Sequence, residues 1–228
     1  MMIGPARILT CPECGGSKEV MSLLSGNSFG ADMWSDGRMD APMLPEPSMI
    51  QKCPHCGKYF WLPDQPFVRV KDWHECHDLG ALSFTELKEG VIQLLSKCAD
   101  EAMETDIRLQ FLMAYNDEFH RRWKDGTRYR INTEPAVSDT KMFRENLERL
   151  YFLFLYQEDR SSAAEMLREL GLYKECMTLI EDLEGFNPND RLEYNAQVYR
   201  QAWAHSPLVF YRQTPQTPGV VIDPNDLP

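Results

Sequence analysis

Long hydrophobic runs are what this 228-residue sequence has least of. Its most apolar stretch, residues 150–156, is seven residues long and is bounded by Arg149 and Glu158. A bilayer-spanning helix needs roughly 20 apolar residues, so no membrane span is expected. Residues 1–10 carry a single Arg7 and no apolar core of the kind a secretory signal requires, which points to a cytoplasmic chain. Positive charge is scarce: 24 Lys+Arg stand against 35 Asp+Glu, a formal net charge of −11. Such a balance argues against a protein that wraps nucleic acid or lies on an anionic membrane. No phosphate-binding Gly-rich loop, nucleophile elbow, H-E-x-x-H helix or dinucleotide turn is present, so nothing names a reaction and the expectation is a protein that is not an enzyme. Disorder is excluded by 43% hydrophobic and 26% charged residues, ordinary values for a globular chain.

What is present divides by texture. Residues 1–80 hold five of the seven cysteines and eight of the thirteen glycines, residues 81–204 read as successive amphipathic helices, and 205–228 form a proline-bearing, extended tail. Residues 1–80 have 7 basic and 10 acidic side chains and 81–228 have 17 and 25, so the acidity is not the property of one tail. The expected fold class is α+β: a small N-terminal β domain over 1–80 with a hairpin insert, then an all-α domain over 81–204.

The strongest chemical signal is Cys11-Pro12-Glu13-Cys14-Gly15 repeated as Cys53-Pro54-His55-Cys56-Gly57. Two thiolates separated by two residues reach one ion because the intervening turn brings both sulfurs to one side, and the glycine accepts the positive φ that follows. Four thiolates close a tetrahedral site, leave no position for a substrate, and form the soft ligand set that selects zinc or iron. An odd count of seven in a reducing compartment fits metal ligation better than a disulfide scaffold. The 38 residues between Cys14 and Cys53 need structure of their own. Residues 28–34 and 38–43 flank Ser35-Asp36-Gly37, a tight hairpin turn, after which Pro42, Pro45 and Pro47 carry an extended chain to the second knuckle. Tyr59, Phe60 and Trp61 supply apolar mass beside the site.

Over roughly its first 65 residues the chain resembles the zinc-ribbon, or rubredoxin-like, family, through Cys11, Pro12, Cys14, Gly15, Cys53, Pro54, Cys56 and Gly57. The resemblance implies one structural Zn²⁺ per chain held by Cys11, Cys14, Cys53 and Cys56. Rubredoxins carry iron on the same ligands, but here the first knuckle continues Gly15-Gly16-Ser17-Lys18 without the aromatic residues they place there, and zinc is the expected metal. His74-Glu75-Cys76-His77-Asp78 offers further ligand types, and Glu75 or His77 suits acid–base work. Its one- and two-residue spacings scatter the side chains, and a polar connector is the favoured reading.

Six helices are expected downstream. Ser83 and Glu86 form a capping box ahead of Phe84, Leu87, Val91, Leu94 and Leu95. Helices over about 100–122 and 139–156 carry stripes of Met103, Ile107, Phe111, Tyr115 and Phe119, and of Phe143, Leu147, Leu150, Tyr151, Phe154 and Leu155. Ser162 and Glu165 box a fourth helix with Ala163, Ala164, Leu167 and Leu170, ended by Gly171 as a left-handed cap. A fifth carries Tyr173, Cys176, Leu179, Ile180 and Leu183, with Cys176 in the core. A sixth begins near Asp190 with Leu192, Ala196, Tyr199 and Trp203. None is apolar all round, so each is expected to bury one face. Gly171-Leu172-Tyr173, Cys176, Ile180, Leu183 and Pro188 are similar to the second half of a tetratricopeptide repeat, whose proline falls 17 positions after the glycine, as here. That family is a protein-binding scaffold, so the resemblance implies a protein partner in a helical groove. An irregular bundle stands as the alternative.

His120, Arg121, Arg122, Lys124, Arg128 and Arg130, interleaved with Trp123 and Tyr129, oppose the global charge. Such a cluster holds phosphate and stacks on bases. Asp117, Glu118 and Asp125 are near enough to pair with it, and a salt-bridged helix end is the favoured reading. The leading functional expectation is therefore a cytoplasmic structural-zinc adaptor that binds a protein. Nucleic-acid-binding ribbon and iron-loaded redox module are the alternatives. Against the former, four thiolates on one Zn²⁺ take the −3 of residues 1–80 to about −5.

Overall fold

The computed structural model describes residues 1–45, 47–63, 67–69, 74, 76–98, 100–124, 137–190, 193–204 and 206. Among these residues, nine short strands precede six helices: β1 (Met2–Ile3), β2 (Arg7–Thr10), β3 (Ser17–Val20), β4 (Leu23–Ser25), β5 (Asp32–Met33), β6 (Met39–Asp40), β7 (Ile50–Lys52), β8 (Tyr59–Trp61) and β9 (Phe67–Arg69), then α1 (Phe84–Leu95), α2 (Glu101–Lys124), α3 (Val137–Tyr156), α4 (Arg160–Glu169), α5 (Tyr173–Glu181) and α6 (Tyr194–Trp203). The class is α+β, with small antiparallel strand sets and, among the described residues, no closed sheet. Two compact units divide the chain. One comprises Met1–Ala31 with Asp40–Ala114, the other Asp32–Met39 with Tyr115–Pro228.

In the first unit, β2 pairs antiparallel with β3 from Arg7↔Val20 to Thr10↔Ser17 and, on its other edge, with β9. β7 and β8 form a second antiparallel hairpin, Ile50↔Trp61 to Lys52↔Tyr59. β1 and β4 make a third pair. Leu9, Cys11, Val20, Cys53 and Phe60 form a small core, and Tyr59, Phe60 and Trp61 are all buried. A buried amide ties the strands: Lys18 Nζ donates to Gln51 Oε1 at 2.8 Å, and Gln51 Nε2 donates to the Ser48 carbonyl at 2.6 Å. α1 opens on the expected capping box, with Glu86 N donating to Ser83 Oγ and Ser83 N to Glu86 Oε2. It lies on the β7–β8 hairpin, where Lys52 pairs with Glu86 at 2.8 Å, Tyr59 OH donates to Glu89 at 2.9 Å and Gln93 Nε2 donates to the Tyr59 carbonyl at 2.9 Å. Gly90 permits that approach, because a Cβ there would stand 2.9 Å from both Ile50 Cγ2 and Tyr59 Cδ1. α2 starts where Asp100 accepts from Met103 N at 2.8 Å, and its Phe111 stacks on Phe84 of α1 with centroids 5.9 Å apart.

In the second unit, Ala164, Leu167, Cys176, Ile180, Val198 and Ala202 make one buried cluster from α4, α5 and α6. Tyr115 stacks on Phe143 with centroids 3.8 Å apart. Gly171 takes φ +78°, with Gly171 N donating to the Arg168 carbonyl and Leu172 N to that of Leu167, the two bonds of a Schellman C-cap.

Four local expectations give way here. Asp159, not Ser162, caps α4, its carboxylate accepting from Ser162 N, while Glu165 turns to Arg168 instead of closing a box. α4 does not bury one face: every residue from 163 to 169 is buried, charged ones included. α6 begins at Tyr194 because Glu193 caps Asn195 N and Ala196 N, and Trp203 is 71% exposed. Pro42 lies in a turn closed by Leu44 N donating to the Ala41 carbonyl, where an extended return was expected. The hairpin turn itself forms: Trp34 N donates to the Arg38 carbonyl, and Gly37 takes φ +87°. The tail beyond residue 206 lies outside the described residues, and no helix among them is long and apolar enough to cross a membrane.

Candidate metal centre

Each knuckle is the turn of a β-hairpin, and the two turns are closed alike. Cys11 N donates to the Gly16 carbonyl at 2.8 Å and Gly15 N to the Cys11 carbonyl at 2.9 Å. Cys53 N donates to the Lys58 carbonyl at 2.9 Å and Gly57 N to the Cys53 carbonyl at 3.0 Å. Gly15 and Gly57 take φ of +70° and +72°, so the glycine of C-P-x-C-G is required by the backbone. The first cysteine of each knuckle, Cys11 and Cys53, is buried, and the second, Cys14 and Cys56, is exposed.

The four sulfurs lie within 4.8 Å of one another. Cys11 Sγ is 3.7 Å from Cys56 Sγ, and Cys14 Sγ is 3.7 Å from Cys53 Sγ, so the close pairs cross between knuckles. A tetrahedral ion with metal–sulfur bonds of about 2.3 Å needs its sulfurs about 3.8 Å apart, which these distances meet. Backbone amides aim at the sulfurs: Gly16 N donates to Cys14 Sγ and His55 N to Cys53 Sγ, each at 3.4 Å. Donors of this kind lower the cost of gathering thiolates.

Cys53 and Cys14 are pushed in opposite directions. Burial raises the Cys53 thiol, but the amides of Cys56 and His55 and its contacts with Cys11 and Cys14 outweigh that and bring it down to about 6. The Gly16 amide lowers the Cys14 thiol, yet the neighbouring sulfurs of Cys56, Cys53 and Cys11, together with burial, push it up to about 12. One thiolate forms readily and the next resists joining it.

One supporting contact carried no signal in the sequence. The His55 ring reaches across to the first knuckle, its Nε2 3.0 Å from the Ser17 carbonyl. It lies against Gly16, where a Cβ would collide with the ring. One side of Gly16 in the first knuckle is thus covered by a ring from the second. Lys97, just beyond α1, pairs with Glu13 of the first knuckle.

Among the described residues, Cys11, Cys14, Cys53 and Cys56 are the one group with metal-ligand geometry. His74 Nε2 meets Glu19 at 2.9 Å, Asp78 accepts from Gly80 N at 2.7 Å, and the backbone carbonyls of His74 and Asp78 accept from Ala6 N and Met21 N. Glu75 lies outside the described residues, as do Arg128, Tyr129, Arg130 and the side chains of 120–124. No protein-family model, curated protein or solved structure matches the chain.

Proposed function

We propose that this is a cytoplasmic protein whose Cys11, Cys14, Cys53 and Cys56 hold one structural Zn²⁺, and whose helical unit docks a protein partner. The carrying observation is the sulfur geometry: cross-knuckle pairs at 3.7 Å within a cluster no wider than 4.8 Å. Four protein ligands leave no place for substrate, so the bound ion supplies folding energy to a domain with a very small core and is not a catalyst. Zinc is chosen over iron for the Gly16-Ser17-Lys18 continuation of the first knuckle.

The adaptor reading draws on two features of the second unit. The Schellman turn at Gly171 with buried Cys176 and Ile180 is what a tetratricopeptide hairpin would need. Large apolar side chains also stand in solvent there, Phe152 at 60%, Tyr156 at 73% and Trp203 at 71% exposure. Elemental analysis of protein expressed in unsupplemented medium tests the metal: about one zinc per chain is expected, and a red iron-loaded sample or a metal-free one refutes it. Cross-linking of the native chain with identification of bound proteins tests the partner. Retention of nucleic acid, falling steeply with salt, would replace the adaptor reading with the nucleic-acid one.

A further inference from the structure

Between its two knuckles the chain leaves one compact unit for the other. Residues up to Ala31 belong with the cysteine-bearing strands, Asp32–Met39 with the helices, and from Asp40 the chain returns to supply Cys53 and Cys56. The excursion is only eight residues long, yet it is deeply engaged. Trp34, Ser35 and Asp36 are at most 4% exposed. Tyr194 OH donates to the Ser35 carbonyl at 2.9 Å, Asn116 Nδ2 donates to Asp36 Oδ2 at 3.2 Å, and Arg38 pairs with Asp117 at 2.9 Å. Arg168, wholly buried, reaches Ser35 Oγ at 3.5 Å.

These contacts explain why α4 is buried all round. Its apolar side faces α5 and α6, and its charged side, Glu165, Arg168 and Glu169, is roofed by the hairpin in place of water. Asn116 joins the two, donating to Glu169 at 3.3 Å as well as to Asp36. The hairpin is therefore part of the helical unit's interior, although it is threaded through a 38-residue loop whose ends are Cys14 and Cys53. Those ends are brought to 3.7 Å, sulfur to sulfur, by the four-cysteine centre.

We propose that the metal centre clamps this excursion: an ion holding both knuckles fixes both ends of the loop, so that metal occupancy in one unit controls the docking of hairpin 32–39 on the charged side of α4 in the other. The inference rests on the reading of Cys11, Cys14, Cys53 and Cys56 as metal ligands. Its physical basis is loop closure. With the knuckles fixed, the 17 residues that lead to the hairpin and the 13 that lead back start from one point. Without metal the ribbon loses its folding energy, and the hairpin must return to α4 on slack chain, at an entropic cost that grows with the logarithm of tether length. By linkage the coupling is reciprocal, so loosening the hairpin lowers metal affinity by the same factor.

Hydrogen exchange of the full chain, zinc-saturated and then stripped with a chelator, tests the clamp. Removal of zinc is expected to reduce amide protection in residues 32–39 by about tenfold or more, with the Tyr173–Glu181 helix keeping its own. Unchanged protection at 32–39, in a chain that does bind one zinc, overturns the clamp and leaves the metal site standing. A chain that binds no zinc overturns both. If stripping unfolds everything, zinc affinity measured by chelator competition decides. The Asn116→Ala/Tyr194→Phe double variant, which touches no cysteine, is expected to bind zinc several-fold more weakly, and an affinity equal to the parent's refutes the coupling.

Discussion

Arg168 grips both carboxylate oxygens of Glu165 one turn earlier on α4, through Nε at 2.7 Å and a terminal nitrogen, and neither side chain is more than 1% exposed. The remaining terminal nitrogen donates to the Ser206 carbonyl. Burial of the guanidinium works against its charge, but Glu165 and then Glu169 hold it, and its pKa is raised. Burial, with Glu165 close by, pushes the Glu169 carboxyl well above the usual carboxylate range. A buried pair of this kind adds little over an apolar pair of the same volume, but breaking one side is costly. Arg168→Ala is expected to destabilise the helical unit by about 3–5 kcal/mol, and Arg168→Met with Glu165→Leu by much less. Thermal unfolding of the zinc-saturated chain, followed by helical circular dichroism, checks both. An equal loss in the two variants would show that the guanidinium's own hydrogen bonds, to Ser206 and Ser35 as well as Glu165, and not the volume it fills, are what α4 requires.

Gly90 offers a cleaner test of the first unit. Alanine favours a helix interior over glycine by about 1 kcal/mol, so propensity alone makes Gly90→Ala stabilising. The Cβ would stand 2.9 Å from Ile50 and Tyr59, however, and forced packing costs about 1–3 kcal/mol. The expected outcome is net destabilisation of the α1 contact. It is read as faster exchange at Lys52 and Tyr59 and as partial relief when Ile50→Ala is added, which removes the Cγ2 that the new methyl meets.

What could be read from the amino-acid order is what local chemistry dictates. A tight hairpin turn that gathers two sulfurs fixes the C-P-x-C-G spacing, a capping box fixes the start of α1 at Ser83, and a left-handed turn requires Gly171; each is a matter of a few neighbouring residues. Glu165, Arg168 and Glu169 were not legible as interior, because three charged residues on a helix make sense in water, and what replaces water is Ser35, 133 positions before Arg168. Gly90 and His55 were silent for the same reason. Their roles are set by Tyr59, Ile50 and Gly16, which adjoin them only after the hairpins have formed. Glu165 misled directly: three positions after a serine it reads as a cap, but the stronger claim on its carboxylate is the buried Arg168.

Metal binding is expected to weaken as pH falls. At neutral pH the ion-free Cys14 thiol, pushed up to about 12, is protonated and must release its proton to ligate, whereas Cys53, brought down to about 6, is already largely ionised. Protons compete with the ion, so acid favours the metal-free chain and affinity rises toward alkaline pH. Calorimetric titration of zinc in buffers of different ionisation enthalpy measures the release directly. A binding enthalpy that does not change with buffer would show that no proton is displaced, contrary to the ligand assignment.

The last expectation concerns the ring that joins the knuckles. His55 belongs to the second turn, yet its Nε2 contacts the Ser17 carbonyl and its face covers Gly16 in the first, so it sets how the two cysteine pairs converge without ligating. Residues that orient ligands in this way typically matter about 10–100-fold in metal affinity. Gly16→Ala drives a methyl into the ring and is expected to lower zinc affinity by about tenfold, read by chelator competition. His55→Ala alone removes the contact to Ser17 and also weakens retention. In the double variant the added methyl meets no ring, so the two losses are expected to be less than additive. Strict additivity would mean that Gly16 is needed for the knuckle's own backbone and not to admit His55. The φ of Gly16 is not in the positive range that only glycine favours, in contrast to Gly15 and Gly57, and steric room for the ring is what remains to require it.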